Sequence, residues 1–537
     1  MRRLFHRYLD FSLFPEGHPL QKWLVLVVIL LITETALFAS VGVNISTPDI
    51  QGYYSLGVTE TDWITTSYLM MLATTVPISA RLGVEYGFKY TFFLGCAIFF
   101  IANLLICFTD SYPLLLVWRM LGGAGTGILM PQSISILAFT FERKLLPLAL
   151  SLYTAVGFGG GFAFGSILGG IFSQEHAFQW IFFIIFLIGM IGLLGICLFF
   201  RETKTRAVSP FDYPGYISFL VVIFAALLLT MNVKAPWNTQ GWYSLYTVSH
   251  GAVLLAGFMA FIYFELTEEH PLFLLKQFTV RPFLLAAIGM FIIGGIVFGT
   301  PVFFSQVLHD DLLWPNSQVG NHFAVFGLAI GVSGAITGLL SDYIGIRWPS
   351  AIGLILLTIS CFMNHNFTIY SDHSDLYSLL LVRGVGIGVA LGPVTSLGLS
   401  RIPKESKLEL AKATVMLTIL RQMGAAFSSN ILGIIITQRQ DFHFSRFGDM
   451  VNYQSPAFQE AASNLSTHFR TAMGAPKNAG QELSYQEITS LVQRQAHVAA
   501  FDDAFFCAGI VLAIMTTVLI VLMIRRYILL KYGRFTG

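Results

Sequence analysis

An acid and a base stand where neither is easily solvated. Glu34 lies inside "VLVVILLITETALFASVGV" and Arg119 inside "LLLVWRMLGGAGTGILMP". An ionisable group at the centre of a bilayer costs about 2.5–3.5 kcal/mol on insertion scales, so it faces a cavity or a partner. Glu34 is the sole carboxylate deep within an expected helix, which suits a group that binds and releases protons. A structural glutamate bonded to a neighbouring helix is the plainer alternative. Arg119 stays protonated and is the natural counter-charge for Glu34, or else a purely stabilising cross-bundle pair. Arg383 and Arg421, also inside apolar runs, read as structural.

A second constellation occurs twice. "ARLGVEYGFK" (80–89) and "GLLSDYIGIR" (338–347) share an outline of leucine, glycine and a closing basic residue. In the second copy Asp342 can accept from helix N-terminal N–H groups or an arginine, a charge-assisted contact able to close one end of a cavity. Gly338, Gly345 and Arg347 complete that turn. The first copy carries Val84 in place of the aspartate, with Glu85 and Gly87 beside it, so the latch reads as asymmetric. Gly161, Gly165, Ser166, Gly169 and Gly170 put small residues at four-residue spacing, which permits close helix contact. Asn44, Gln132 and Gln306 are polar residues in apolar surroundings and candidate cavity walls. Asp502 and Asp503 are expected just before the last helix, where its dipole favours negative charge.

The elements that hold these groups are membrane helices. Of the 537 residues 55% are hydrophobic and only 11% charged, against about 25% in soluble domains, and mean hydropathy is +0.71. A spanning helix needs about 20 apolar residues. Fourteen such runs are present, the first centred near residue 33 and the last near 516. Lys234 is the one basic residue in the six short connections on one side, a bias that puts both termini in the cytoplasm. The first run follows a basic leader and has no small-residue cleavage site. Cys96, Cys107, Cys197, Cys361 and Cys507 all fall in apolar segments, none in a ligand spacing, so neither a metal nor a disulfide framework is expected. No GxSxG, phosphate loop or HExxH is present, so neither an enzyme nor a nucleotide-driven pump is indicated, and nothing points to nucleic acid.

The two halves repeat. Leu114 to Pro131 resembles Leu379 to Pro393, each placing an arginine, alternating glycines and a proline in one helix. Both repeats are displaced by eight helices, as two six-helix bundles with two helices inserted between them require. The expected divisions are a leader at 1–22, a bundle at 23–200, the inserted pair with its linkers at 201–282, and a second bundle at 283–537 with an outer loop at about 438–500. Such repeats are a signature of secondary transporters.

With "NISTPDI", Arg119-Gly123-Gly125-Gly127, "GFAFGSILGG", "FDYPG", "HPLFLLKQF" and "RQMG" in this order, the chain resembles the major facilitator superfamily, in its fourteen-helix drug:proton antiporter branch (EmrB/QacA-like multidrug exporters). Departures are Val84, Gly122 where glutamine is usual, and Ser166 where proline is usual. The resemblance implies a multi-pass protein of the cell (inner) membrane. It would export amphiphilic or aromatic compounds by alternating access, with protons as the energy source and no cofactor. It also implies a periplasmic membrane-fusion adaptor and an outer-membrane channel as partners, which the 438–500 loop would meet. A proton-coupled carrier for one metabolite such as a siderophore, and a non-transporting sensor or scaffold, are the alternatives.

Overall fold

The computed structural model describes residues 13, 18–174, 178–202, 210–233, 237–273, 275–364, 367–403, 406–451, 454–474 and 476–531. Most of the expected leader, and Lys234, lie outside the described residues. All regular elements among them are helical.

The first bundle holds α1 (Pro19–Ile45), the short α2 (Thr47–Tyr54), α3 (Val58–Tyr86), α4 (Phe88–Ile106), α5 (Tyr112–Thr140), α6 and α7 (Gln179–Phe199). Helix α6 starts over Leu146–Leu152, widens into π-helical turns over Tyr153–Gly160 and resumes over Gly161–Gln174. The pair α8 (Tyr213–Val233) and α9 (Leu245–Thr267) follows. The second bundle holds α10 (Arg281–Gln306, continued by π turns Val307–Asp311), α11 (Asn316–Ile344), α12 (Arg347–Phe362), α13 (His373–Leu399), α14 (Lys407–Met450), α15 (Pro456–Met473) and α16 (Lys477–Lys531).

Local chemistry places the ends. Pro19 sits in the first turn of α1, where its missing N–H costs nothing, and the His18 ring accepts from Leu20 N. Asp212 opens α8 by accepting from Gly215 N at 2.7 Å. Gly87 (φ +108°) and Gly345 (φ +75°) stop α3 and α11, conformations that a side chain would strain.

Twelve helices among the described residues are long and apolar enough to cross a membrane. Two expected runs fall short of that measure. Helix α3 spans 29 residues, but its charge-free middle, Trp63–Ala80, is diluted by Thr65, Thr66, Ser67, Thr74, Thr75 and Ser79, and α12 has only 16 residues. Both are integral to the packing: α3 lies on α5, and α12 on α13 and α16.

The repeat is visible in the packing. Helix α3 lies on α5 as α11 lies on α13, α4 on α5 as α12 on α13, and α1 on α6 as α10 on α14. The bundles meet along two seams, α6 against α11 and α3 against α14. The pair α8–α9 flanks the second seam through α8. Each end of the molecule has its own mark. One, the turn face, carries the turns at Gly87 and Gly345. The other, the hairpin face, carries the far end of α14, then α15 and the start of α16.

The expected outer loop at 438–500 is largely regular helix, because α14 continues to Met450 and α16 begins at Lys477. Asp502 and Asp503 therefore do not precede the last helix but lie inside it. Asp502 accepts from Phe367 N at 2.9 Å, and Asp503 from Arg439 Nε and the His443 ring, each at 2.7 Å. Their partners are a loop and a neighbouring helix, not the helix terminus.

Candidate functional site

A cavity of about 390 Å³ lies between the bundles. Its walls are the hairpin-face ends of α1, α3, α8, α10 and α14, with His497 of α16. Asn44 and Gln306 both line it, joined by Asp62, Thr65, Phe298, Phe303 and Asp310. Thr65 donates to Asn44 Oδ1 at 3.5 Å. His497 and Asp311 bond at 2.5 Å, tying the α16 extension to the π turns that end α10. Through Leu69, Leu227 and Ala426 the cavity shares walls with a nearly apolar groove of about 40 Å³ between α3, α8 and α14. Gln132 does not line this cavity. It is buried, and its amide nitrogen donates to the Ser79 carbonyl of α3, because its helix face points into the α3–α5 contact.

Glu34 and Arg119 are not brought together. The Glu34 carboxylate lies against Gly160 of α6 and has no ion-pair or hydrogen-bond partner among the described residues. Arg119 is buried on α5, over the Tyr68 ring at 4.3 Å, with Nε donating to Ile64 O at 3.3 Å. The expected counter-charge relation is thus not what this conformation holds. The reason is rotational: Arg119, Gly123 and Gly127 share the α5 face that meets α3, where Gly123 approaches Tyr68 O and Gly127 approaches Leu72 O.

The counterpart Arg383 turns elsewhere. It donates to Asn364 Oδ1 at 2.7 Å and Ser360 O at 3.0 Å, beneath Phe304 and Phe505.

The glycine helix serves two neighbours. Gly161, Gly165 and Gly169 of α6 face α1, meeting Leu37, Phe38 and Gly42. Ser166 and Gly170 lie on the α11 seam, against Gly320 and the Asn316–Ser317 backbone. Small residues on both faces let α6 sit close to α1 and α11 at once.

At the turn face the bundles touch. Arg143 donates to Ile402 O at 3.2 Å, and Gly338 and Gly392 both pack on Ser151. Arg81 pairs with Glu85 at 3.1 Å and lies over Phe211. Gly87 abuts the Glu202 carboxylate, which accepts from Lys89 N at 3.3 Å and Tyr90 N at 3.1 Å. Arg347 is exposed, and the side chain of Asp342 lies outside the described residues.

A sequence model of the Major Facilitator Superfamily matches residues 26–429. The chain belongs to that superfamily. It is 26% identical over 485 residues to the fatty acid resistance protein FarB of Neisseria gonorrhoeae, covering 88% of this chain and 90% of that protein. It is also 26% identical to the methyl viologen resistance protein SmvA of Salmonella typhimurium, over 86% of this chain and 92% of that one. Among solved structures it resembles the human organic anion transporter MFSD10 (TETRAN), with TM-score 0.55, 13% identity, 92% of this chain and 100% of that chain covered. This major facilitator protein is a multi-pass cell-membrane transporter and not an enzyme.

Sequence reasoning missed Glu202, Asp310 and His497 as parts of these sites. Glu202 had a signal, since it stands in a charged segment just past the end of α7. Asp310 and His497 sit in polar segments, where nothing local separates a cavity wall from a solvated face.

Proposed function

We propose that this transporter is a proton-coupled antiporter that exports amphiphilic or aromatic organic compounds by alternating access. In this reading all fourteen helices cross the membrane, the turn face is cytoplasmic and the hairpin face is outside. The conformation described is then outward-facing, with the cytoplasmic ends in contact. The observation that carries the reading is the cavity itself. A chamber of mixed lining, with Asn44, Gln306 and Asp310 beside Phe298 and Phe303, continues into an apolar groove, a pairing that suits solutes with one polar and one apolar part. Resistance to fatty acids and to methyl viologen in the names of two relatives agrees with it.

Glu34 is the proton carrier in this scheme: it is half-buried in the spanning part of α1 and lacks a partner. The gradient supplies about 2.3 kcal/mol per charge per 100 mV. The helical hairpin formed by α15 and the extended α14 and α16 is the surface for a periplasmic adaptor, and it exposes Phe442, Phe444 and Tyr485.

The deciding experiment is dye and biocide efflux from cells and proteoliposomes bearing wild type or Glu34→Gln. Proton-driven export is expected to vanish in the variant while insertion and counterflow exchange persist. Unchanged efflux with an unchanged pH profile ends the proton-carrier role. For the hairpin, crosslinkers placed within 455–468 are expected to capture an adaptor; products that return solely to this chain exclude it.

A further inference from the structure

Arg421 is a charge without an acid. It is fully buried on α14, its guanidinium stacked over Phe158 of α6 at 4.8 Å. One terminal nitrogen donates to the weak acceptor Met130 Sδ at 3.5 Å, and Nε makes no hydrogen bond. No carboxylate pairs with it among the described residues. A buried cation in this state is costly unless some arrangement of the molecule pairs it.

Two more polar atoms surround it. The Tyr153 hydroxyl, on the α6 π turns, is buried, forms no well-shaped hydrogen bond and lies within electrostatic reach of Arg421. Its ring contacts Phe158 at 5.8 Å. The Thr33 hydroxyl of α1 lies beside that of Tyr153, close enough to interact with it but without a well-shaped hydrogen bond. Three side chains able to donate, from three helices, thus converge with no carboxylate paired to them among the described residues. They lie beneath the cavity, since Arg421 is one helical turn below the wall residue Ala425.

The complementary group is close. Glu34 follows Thr33 in the chain and lies against Gly160, about 10 Å of helix rise from Tyr153. We infer that Arg421, Tyr153 and Thr33 form the seat that receives the deprotonated Glu34 carboxylate when the transporter leaves the conformation described here. The route exists in the packing. Helix α1 rests on the glycine ridge of α6, so it can rotate or slide with little side-chain interlock. The π turns between the two contact points hold slack in the α6 backbone. In the seat the carboxylate would accept from one guanidinium and two hydroxyls, and protonation would release it.

The inference rests on the proton-carrier reading of Glu34 and adds its counter-charge, which is Arg421 and not Arg119. The groups that face the two side chains are few. Toward Glu34, α6 contributes glycines, and Arg119 on α5 is turned to Tyr68. Toward Arg421, α6 contributes Tyr153 and Phe158 and α5 contributes Met130.

The test needs no known substrate. Carboxyl-stretch infrared difference spectra of the purified full-length protein, titrated across pH, identify the Glu34 band by its loss in Glu34→Gln. Removing a neighbouring cation makes a carboxyl harder to deprotonate. Arg421→Met is therefore expected to move the Glu34 midpoint to higher pH by about one unit or more, and Tyr153→Phe by less. Arg421→Lys, which keeps the charge and is the variant to read if Arg421→Met does not fold, should stay near wild type. A merely structural arginine would lower stability and leave the midpoint in place. A titrating Glu34 band with the same midpoint in Arg421→Met and Tyr153→Phe overturns the seat but not the proton carrier. If Arg421→Met is not obtained folded, an unmoved midpoint in Tyr153→Phe with Arg421→Lys as the charge control overturns it. Absence of any band lost in Glu34→Gln overturns both.

Discussion

The turn at Gly87 is tied to its own bundle by two charged groups, whereas a Cβ at Gly345 would meet nothing within 4 Å. At the first, Glu202 arrives from the end of α7 and accepts from the first N–H groups of α4. Lys89 is buried and donates to Cys197 O at 3.1 Å and Phe200 O at 2.8 Å, the last carbonyls of α7. Anion on an N-terminus and cation on a C-terminus is the arrangement helix dipoles favour. Val84, where the second copy has Asp342, is buried in a small cleft with Asp212 and Lys412. The negative charge missing from the motif is thus supplied from α7 and from the start of α8. A departure in a motif need not be a loss of its physics, because a carboxylate can reach the same helix end from elsewhere in the chain.

Substitutions can break this contrast, the largest effect first. Gly87→Ala must adopt a positive φ and displace the Glu202 carboxylate, so it is expected to cost about 3 kcal/mol. Gly345→Ala pays the backbone strain alone, about 1 kcal/mol. Unfolding in detergent of the two variants side by side measures the difference, and equal losses would erase the asymmetry. Lys89→Met leaves two buried carbonyls unmet and should cost about 2 kcal/mol; the same assay applies, with cysteine accessibility at Cys197 as a local readout. Glu202→Gln keeps the shape and removes the charge, for an expected loss of about 1 kcal/mol that shrinks in high salt. Arg347→Met, at an exposed site, should change stability by less than about 0.5 kcal/mol. A slowed flux in that last variant, with stability intact, would assign the second turn to gating and sharpen the division of labour.

Particular residues show how far the sequence could be read. Polarity alone points Asn44 and Gln306 to a cavity wall, since a polar group in an apolar helix has few places to go, and both line the chamber between the bundles. The same logic points Gln132 to the cavity, yet its amide nitrogen donates to Ser79 O across the α3–α5 contact, with Oε1 buried and unpartnered among the described residues. Asp502 and Asp503 carry the mark of a helix start, since the helix dipole favours negative charge there. Helix α16 instead continues through them, as Phe367 N, Arg439 and His443 meet their carboxylates.

What the sequence determined unaided were properties carried within one helix or one turn. Apolar length, the glycine ridge of α6 and the charged turns at Gly87 and Gly345 are all of this kind, because each depends on residues near one another in the chain; the repeat of the halves is legible because each copy is local. The tertiary structure decided which charges meet. Arg119 goes to Tyr68 and Ile64, Lys89 to the end of α7, and Arg421 to Phe158 and Met130, while Glu34 keeps to Gly160. A helix presents each side chain at an angle set by its own rotation and by the neighbours it packs against. Partner choice is therefore settled between helices distant in sequence, where local spacing carries no information.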